Sequence, residues 1–189
     1  SIARDFILII LVFISWRLTD PDIRNKNGFT WFPMQEVSKL FAGIFITIIP
    51  VILILQAGND GELYSIIQMV SNDEGGPIDI MYFWLTGILS SFLDNAPTYL
   101  VFFNIAGSPA PEGTIIADFL MQKLPKTLLA ISTGSVFMGA MTYIGNAPNF
   151  MIQSIAEENN VNMPSFFGYM LWSSVILLPI FLIVTFIFF

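Results

Sequence analysis

The sequence predicts an all-α fold, a polytopic bundle of helices that face lipid. Composition is the first reason. Hydrophobic residues make up 55% of the 189, charged residues 11%, and mean hydropathy is +0.75. A soluble domain carries about a quarter charged residues, so too few are present here to cover a globular surface. The second reason is pattern: the apolar residues fall in long charge-free runs joined by short polar connections. The third is that two of these runs are broken in their middle by the same tripeptide, Asn-Ala-Pro.

Residues 6–16 carry no charge and are flanked by Arg4, Asp5 and Arg17. With Ile2, Ala3, Leu18 and snorkelling arginines the run reaches a span, a transmembrane helix over 1–18. Residues 17–39 form a polar connection holding Arg17, Arg24, Lys26 and Lys39; Glu36 and Lys39 sit at the entrance of the next helix. A second transmembrane helix is expected over 34–56, with Pro50 as a kink. Residues 56–79 are acidic (Asp60, Glu62, Asp73, Glu74, Asp79) with no Lys or Arg, and 62–70 reads as a short interfacial helix. The positive-inside rule puts 17–39 in the cytoplasm and 56–79 outside. Residues 80–106 are apolar but interrupted at "SSFLDNAPTYLVFF" (90–103). A Pro/Gly loop follows, then an amphipathic surface helix over 114–124. The segment 126–158 is a broken transmembrane helix, interrupted at "TYIGNAPNF" (142–150). Residues 166–189 are the cleanest span: as helix they extend roughly 36 Å, enough to cross about 30 Å of hydrocarbon.

The two breaks are Asn95-Ala96-Pro97 and Asn146-Ala147-Pro148. Asn is a good N-cap, and Pro is tolerated in a helix's first turn, where its missing N–H costs nothing. Each tripeptide can therefore close one half-helix and open another. In a membrane the freed backbone groups are tolerated only when buried in protein or lining a wet cavity. Two such breaks in a small bundle point to the binding site of a secondary transporter. Half-helix N-termini offer N–H groups to anions, while C-terminal ends and unwound carbonyls offer oxygens to cations. The rival reading is a pair of plain kinks, since Pro is common in membrane helices. Matching chemistry at both breaks, with a carboxylate at one, favours a site. Other features read as packing. Ala130/Gly134 and Ser135/Gly139 are small residues at i, i+4 that let helices approach. Ser132, Thr133 and Ser135 are expected to bond to backbone carbonyls.

The chain has no Cys and no His, which removes disulfides, thiol nucleophiles, imidazole bases and the usual zinc sites. The net charge is −7 and no basic stripe exists, so nucleic acid is not a partner. An intramembrane aspartyl protease needs two carboxylates sharing a proton, and only Asp94 lies deep in an apolar run. An enzyme is not expected, and a purely structural bundle ranks only slightly above it. The chain starts with Ser and shows no signal-peptide cleavage pattern. It reads as one transmembrane domain over 1–189, part of a longer polypeptide whose N-terminal portion is absent.

"GILSSFLDNAPTYLVFF" (87–103) and "GSVFMGAMTYIGNAPNFMIQSIAEENNVNMPSFFGYM" (134–170) resemble the C-terminal half of the ion-transporter superfamily. That group includes sodium/proton antiporters, arsenite permeases and citrate or dicarboxylate carriers. The nearest likeness is to bacterial sodium/proton antiporters and citrate transporters, and "FTWFPMQEVSKLFAGIFITIIP" (29–50) resembles their preceding segment. The resemblance implies two inverted repeats, each with a re-entrant hairpin and a broken helix whose tips meet near the midplane. On that reading 80–106 is the re-entrant hairpin, with its tip at 94–97, 126–158 is the broken helix, and this chain is one repeat. Implied partners are the lipid bilayer, a small ion or organic anion, the N-terminal half of the same polypeptide and a second copy in a homodimer. The implied location is a bacterial inner membrane, crossed several times. Re-entry places Lys123 and Lys126 outside, whereas the positive-inside rule prefers a kinked full span.

Three chemistries follow. In sodium/proton antiport, sodium, a hard cation, takes oxygen ligands. Candidate ion-binding residues are Asp94, Asn95, Thr98, Thr142, Gly145, Asn146 and Asn149, with Pro97 and Pro148 as helix breakers and Na+ itself at Asp94, Asn95 and Asn146. Burial raises a carboxylate's pKa and a bound cation lowers it, so proton and sodium compete for one group. No cofactor is required beyond Na+ or H+ as coupling or transported ion. The alternative is sodium- or proton-coupled transport of citrate or another organic anion, for which half-helix N-termini are suited although no Arg or Lys lies near either break. Dicarboxylate carriers of the superfamily resemble a Ser-Asn-Thr tip pattern, which differs from the Asp-Asn-Ala-Pro-Thr and Gly-Asn-Ala-Pro-Asn tips here. Arsenite extrusion stays open as the third.

Overall fold

Helices carry the architecture of the chain in the computed structural model, which describes residues 2–56, 64–72 and 75–189. In chain order they are α1 (Ile2–Leu18), α2 (Pro21–Lys26), α3 (Phe32–Gln56), α4 (Tyr64–Val70), α5 (Asp79–Leu93), α6 (Asn95–Gly107), α7 (Ile116–Lys123), α8 (Pro125–Met138), α9 (Ala147–Glu158) and α10 (Phe166–Phe188). A 3₁₀ turn, Gly139–Met141, follows α8. Asp60, Glu62, Asp73 and Glu74 of the acidic connection lie outside the described residues. The chain divides into two compact units, 1–35 and 36–189.

In the first unit, α1 buries none of its residues. Its C-terminal carbonyls, on Ser15 and Trp16, accept from the Arg24 guanidinium, a cation at the negative end of the helix dipole. Arg24 is held there by α2, whose N-cap Asp20 accepts the Asp22 N–H at 2.9 Å.

The second unit holds the core. Here α5 packs most extensively against α8. Gly134 permits it: a Cβ there would overlap the Phe83 carbonyl. Phe83, Ala130 and Ile131 are fully buried at this crossing, as expected for small residues that bring helices together. Phe83 also meets Phe181 of α10 edge-on at 6.4 Å.

Chain direction at the first break is decided by one aromatic pair. Tyr82 and Phe102 stack edge-to-face with centroids 6.2 Å apart. They are about 20 residues apart, and a continuous helix would separate them by roughly 30 Å. The chain therefore reverses at Asp94, and α5 and α6 are the two limbs of a helical hairpin. Their 15 and 13 residues give limbs of about 20 Å, each shorter than the ~30 Å hydrocarbon layer.

Among the described residues, α10 is the helix long and apolar enough to cross a membrane by length and composition. Ser165 caps its start, accepting the Gly168 N–H at 3.2 Å. Leu171, Trp172, Val175, Ile183 and Phe186 form its exposed apolar side, while Ser173, Phe181 and Thr185 are buried. Trp84 Nε1 of α5 donates to Thr185 Oγ1 at 3.1 Å. Ser132 and Thr133 return their hydroxyls to the Leu128 and Leu129 carbonyls, and Ser135 to Ser132.

Candidate functional site

The two breaks are in direct contact. Asp94 sits between α5 and α6 with φ 92 and ψ 152, a region that glycine enters freely and other residues enter at a cost of order 1–3 kcal/mol. Asp94 is 6% exposed. Oδ1 accepts the Ala96 N–H at 3.2 Å and Oδ2 accepts the Ala147 N–H at 3.2 Å. One carboxylate thus meets the N-termini of both half-helices, α6 and α9, where the positive ends of their dipoles lie. Sequence reading found no positive partner for Asp94 because its immediate neighbours are apolar. The partners are backbone N–H groups, one of them from the other break.

This arrangement corrects the expected capping. Asn95 is not an N-cap but the first residue of α6, and Asp94 takes the cap. Asn146 does occupy the N-cap position of α9, yet its side chain makes no cap bond. The amides turn to each other instead. Asn95 directs Nδ2 to the Ser135 and Gly145 carbonyls, at 2.9 and 3.0 Å, and its Oδ1 accepts from Asn146 Nδ2 at 3.1 Å. The opposite orientation would turn Oδ1 onto both carbonyls, so the network fixes it. Pro97 and Pro148 fall in the first turns of α6 and α9, where an N–H is not needed for the helix.

Between α8 and α9 the helix opens, and five successive carbonyls find side-chain donors. Met138 O accepts from Ser91 Oγ (2.9 Å), Gly139 O from Asn149 Nδ2 (3.1 Å) and Ala140 O from the Tyr169 hydroxyl (3.0 Å). Met141 O accepts from Ser173 Oγ (2.6 Å), and Thr142 O from Asn149 Nδ2 (3.2 Å). An apolar interior requires such pairing of any irregular backbone. One lone pair of each carbonyl is therefore engaged by protein. Thr142 is engaged on both sides: its hydroxyl donates to the Ser91 carbonyl and accepts the Gly145 N–H at 2.9 Å. Gly145 itself lies where a Cβ would come within 2.5, 2.9 and 3.0 Å of the Gly139, Ser91 and Ser90 carbonyl oxygens. Only glycine lets these backbones approach so closely.

Six of the seven candidate residues are thus joined in one hydrogen-bonded junction: Asp94, Asn95, Thr142, Gly145, Asn146 and Asn149. Thr98 stands one turn along α6 from Asp94, 1% exposed, with its hydroxyl unpartnered. The junction also depends on residues the sequence reading passed over. Ser90 and Ser91 tie the end of α5 to α8, with Ser90 Oγ donating to Ser135 O at 2.6 Å. Tyr169 and Ser173 brace the opening from α10. A signal existed for the first pair: two adjacent serines at the end of an apolar run, just before its break.

Chemically, the junction is a braced contact between two broken helices with a single carboxylate at its centre. Each carboxylate oxygen accepts one backbone N–H there and keeps a second lone pair for a proton or a cation.

A family model described as "Putative citrate transport" matches residues 1–189. No curated protein and no solved structure gives a significant match. Helices, broken apolar runs and a polar junction between the breaks are what a membrane carrier needs. The chain belongs to this citrate transport family and is a membrane transport protein.

Proposed function

We propose that the chain is one repeat of a secondary transporter and that Asp94 is the group at which a proton and a sodium ion compete, giving sodium/proton antiport. One observation carries this reading: a single buried carboxylate is shared between the N-termini of two half-helices. A proton or cation arriving at the second lone pair of either Asp94 oxygen draws on the charge that holds the Ala96 and Ala147 N–H groups and weakens both bonds. Occupancy is then coupled to how firmly the two half-helices are held together, which is the differential interaction that a conformational change needs. Asn95, Asn146, Thr142 and Asn149 keep the junction assembled while Asp94 changes state, with Gly145 permitting the close approach and Thr98 nearby as a further oxygen.

In this reading the hairpin of α5 and α6 enters and leaves the bilayer on one face. A second, inverted repeat completes the path, and the assembly sits in a bacterial inner membrane. The short limbs support re-entry, since neither spans the hydrocarbon alone. In the Cys-free chain, single cysteines at Ser108 and Asn160 test it with a membrane-impermeant thiol reagent. Re-entry followed by the broken span predicts labelling from opposite faces, with Ser108 outside. Labelling of Ser108 from the cytoplasm would favour a different path.

The family description favours a second reading, transport of citrate, with a cation as the coupling ion. The half-helix N-termini are suited to carboxylates, and a cation held at Asp94 would remove the repulsion between Asp94 and the substrate. Proteoliposomes of the intact transporter separate the two. Antiport predicts sodium-driven proton movement without citrate. Proton movement only when citrate is present would replace antiport with coupled uptake.

A further inference from the structure

Two hydroxyls inside the hairpin are buried without a hydrogen-bond partner, Thr86 Oγ1 on α5 and Thr98 Oγ1 on α6. Ser132, Thr133 and Thr185 return their hydroxyls to the carbonyl four residues back; Thr86 and Thr98 do not. Their positions are related. Tyr82 and Phe102 meet across the hairpin and fix its register. One helical turn nearer the tip from each stand Thr86 and Thr98, and one turn further stand Ser90 and Asp94. The register therefore places the two orphan hydroxyls at the same level of the two limbs, about one turn behind the carboxylate. A buried hydroxyl left dry is costly, and a water with polar partners on both sides removes that cost.

We propose that Thr86 and Thr98 hold a water between the limbs of the hairpin, and that this water lies on a proton path between Asp94 and the hairpin mouth. The same face of α5 continues to Tyr82 and then to Asp79, which is partly exposed and accepts Thr127 Oγ1 at 2.6 Å. From Asp79 to Ser90 the path runs about 16 Å along the helix, roughly half the hydrocarbon thickness. It avoids the packed junction at the tip. Each hydroxyl accepts one proton on its oxygen as it releases its own, so the threonines end unchanged and Asp94 is the terminal acceptor. Asp79, Tyr82 and Asp94 are the titratable groups on this stripe; Asp118 and Lys123 on α7 and Lys126 on α8 are exposed. The relay rests on the reading of Asp94 as the proton-binding group; the water does not.

The test uses the intact transporter with Thr86→Val, Thr98→Val, both together, and the two Thr→Ser variants. Valine keeps the branched shape and removes the hydroxyl. A bridging water predicts that either valine lowers the thermal midpoint, and that the double variant falls no further than the worse single, since each loses the same water. Valines that raise the midpoint additively would mean dry hydroxyls and would overturn the proposal. In proteoliposomes with an internal pH dye, Thr86→Val, which lies outside the ion-binding residues, is expected to slow sodium-driven proton movement about tenfold or more, and Thr86→Ser to restore most of the parent rate. Unchanged proton movement in valine variants overturns the relay. A parent that moves no protons removes the antiport reading and the relay together, while the midpoint series still decides the water.

Discussion

The carboxylate of Asp94 accepts the backbone N–H of Ala147 at 3.2 Å, across 53 positions of sequence. The same group caps its own helix at Ala96. One side chain therefore closes two half-helices, and the two breaks form a single mechanical unit.

Asn95 is the clasp of that unit, and its orientation makes a sharp expectation. Asn95→Asp changes little in size but turns an acceptor onto the Ser135 and Gly145 carbonyls, which now receive an N–H. Each buried polar group left unpaired costs about 1–3 kcal/mol. Thermal unfolding of the purified transporter should show Asn95→Asp at least as destabilised as Asn95→Ala. An aspartate variant as stable as the parent would mean that the amide does not bridge the breaks.

Gly145 and Gly43 should respond in opposite directions to alanine. A Cβ at 145 meets three carbonyl oxygens of the backbone, none of which belongs to a flexible side chain, while a Cβ at 43 in α3 meets nothing within 4 Å. Gly145→Ala should abolish expression of folded protein or lower its midpoint by many degrees. Gly43→Ala should stabilise by about 0.5–1 kcal/mol through helix propensity. Fluorescence-detected size exclusion of both variants after a heat step compares them directly.

The brace from α10 predicts coupling. Tyr169→Phe and Ser173→Ala each remove one donor, from the Ala140 and Met141 carbonyls respectively. Each should cost roughly 1 kcal/mol. Because the two carbonyls are adjacent in one opened turn, the double variant should depart from additivity. Strict additivity in a thermal double-mutant cycle would show that the opened turn is held elsewhere.

Helix placement was readable because helix length follows the charge-free runs: α10 fills the long C-terminal run, and the Asn-Ala-Pro tripeptides mark where α6 and α9 begin. Gly134 also reads correctly, since it does admit the Phe83 backbone, whereas Gly139 makes room for Asn95 and the Gly145 carbonyl at the junction. The junction was not readable in detail. Local propensity assigns an N-cap to Asn, but the amides of Asn95 and Asn146 serve carbonyls and each other, which depends on a contact between distant segments. The sequence shows that unwound carbonyls can offer oxygens to a cation, but not that those of 138–142 each also accept from a side chain, drawn from α5, α9 and α10. Nothing in the local pattern distinguishes Tyr169 or Ser173 from ordinary packing residues, because their meaning lies wholly in tertiary placement.

Asp94→Asn tests the central claim most directly. Asparagine keeps the shape and can still accept one of the two N–H groups, but its amide nitrogen faces the other and cannot take up a proton or match the carboxylate's charge. The measurement is sodium-driven proton exchange across a range of pH, by the intact parent and variant in proteoliposomes with matched amounts of folded protein. The account predicts that the variant loses exchange at every pH while it still folds and inserts. Exchange retained with the parent's pH profile would contradict it, leaving Asp94 as a cap for two helices and placing the coupling group elsewhere.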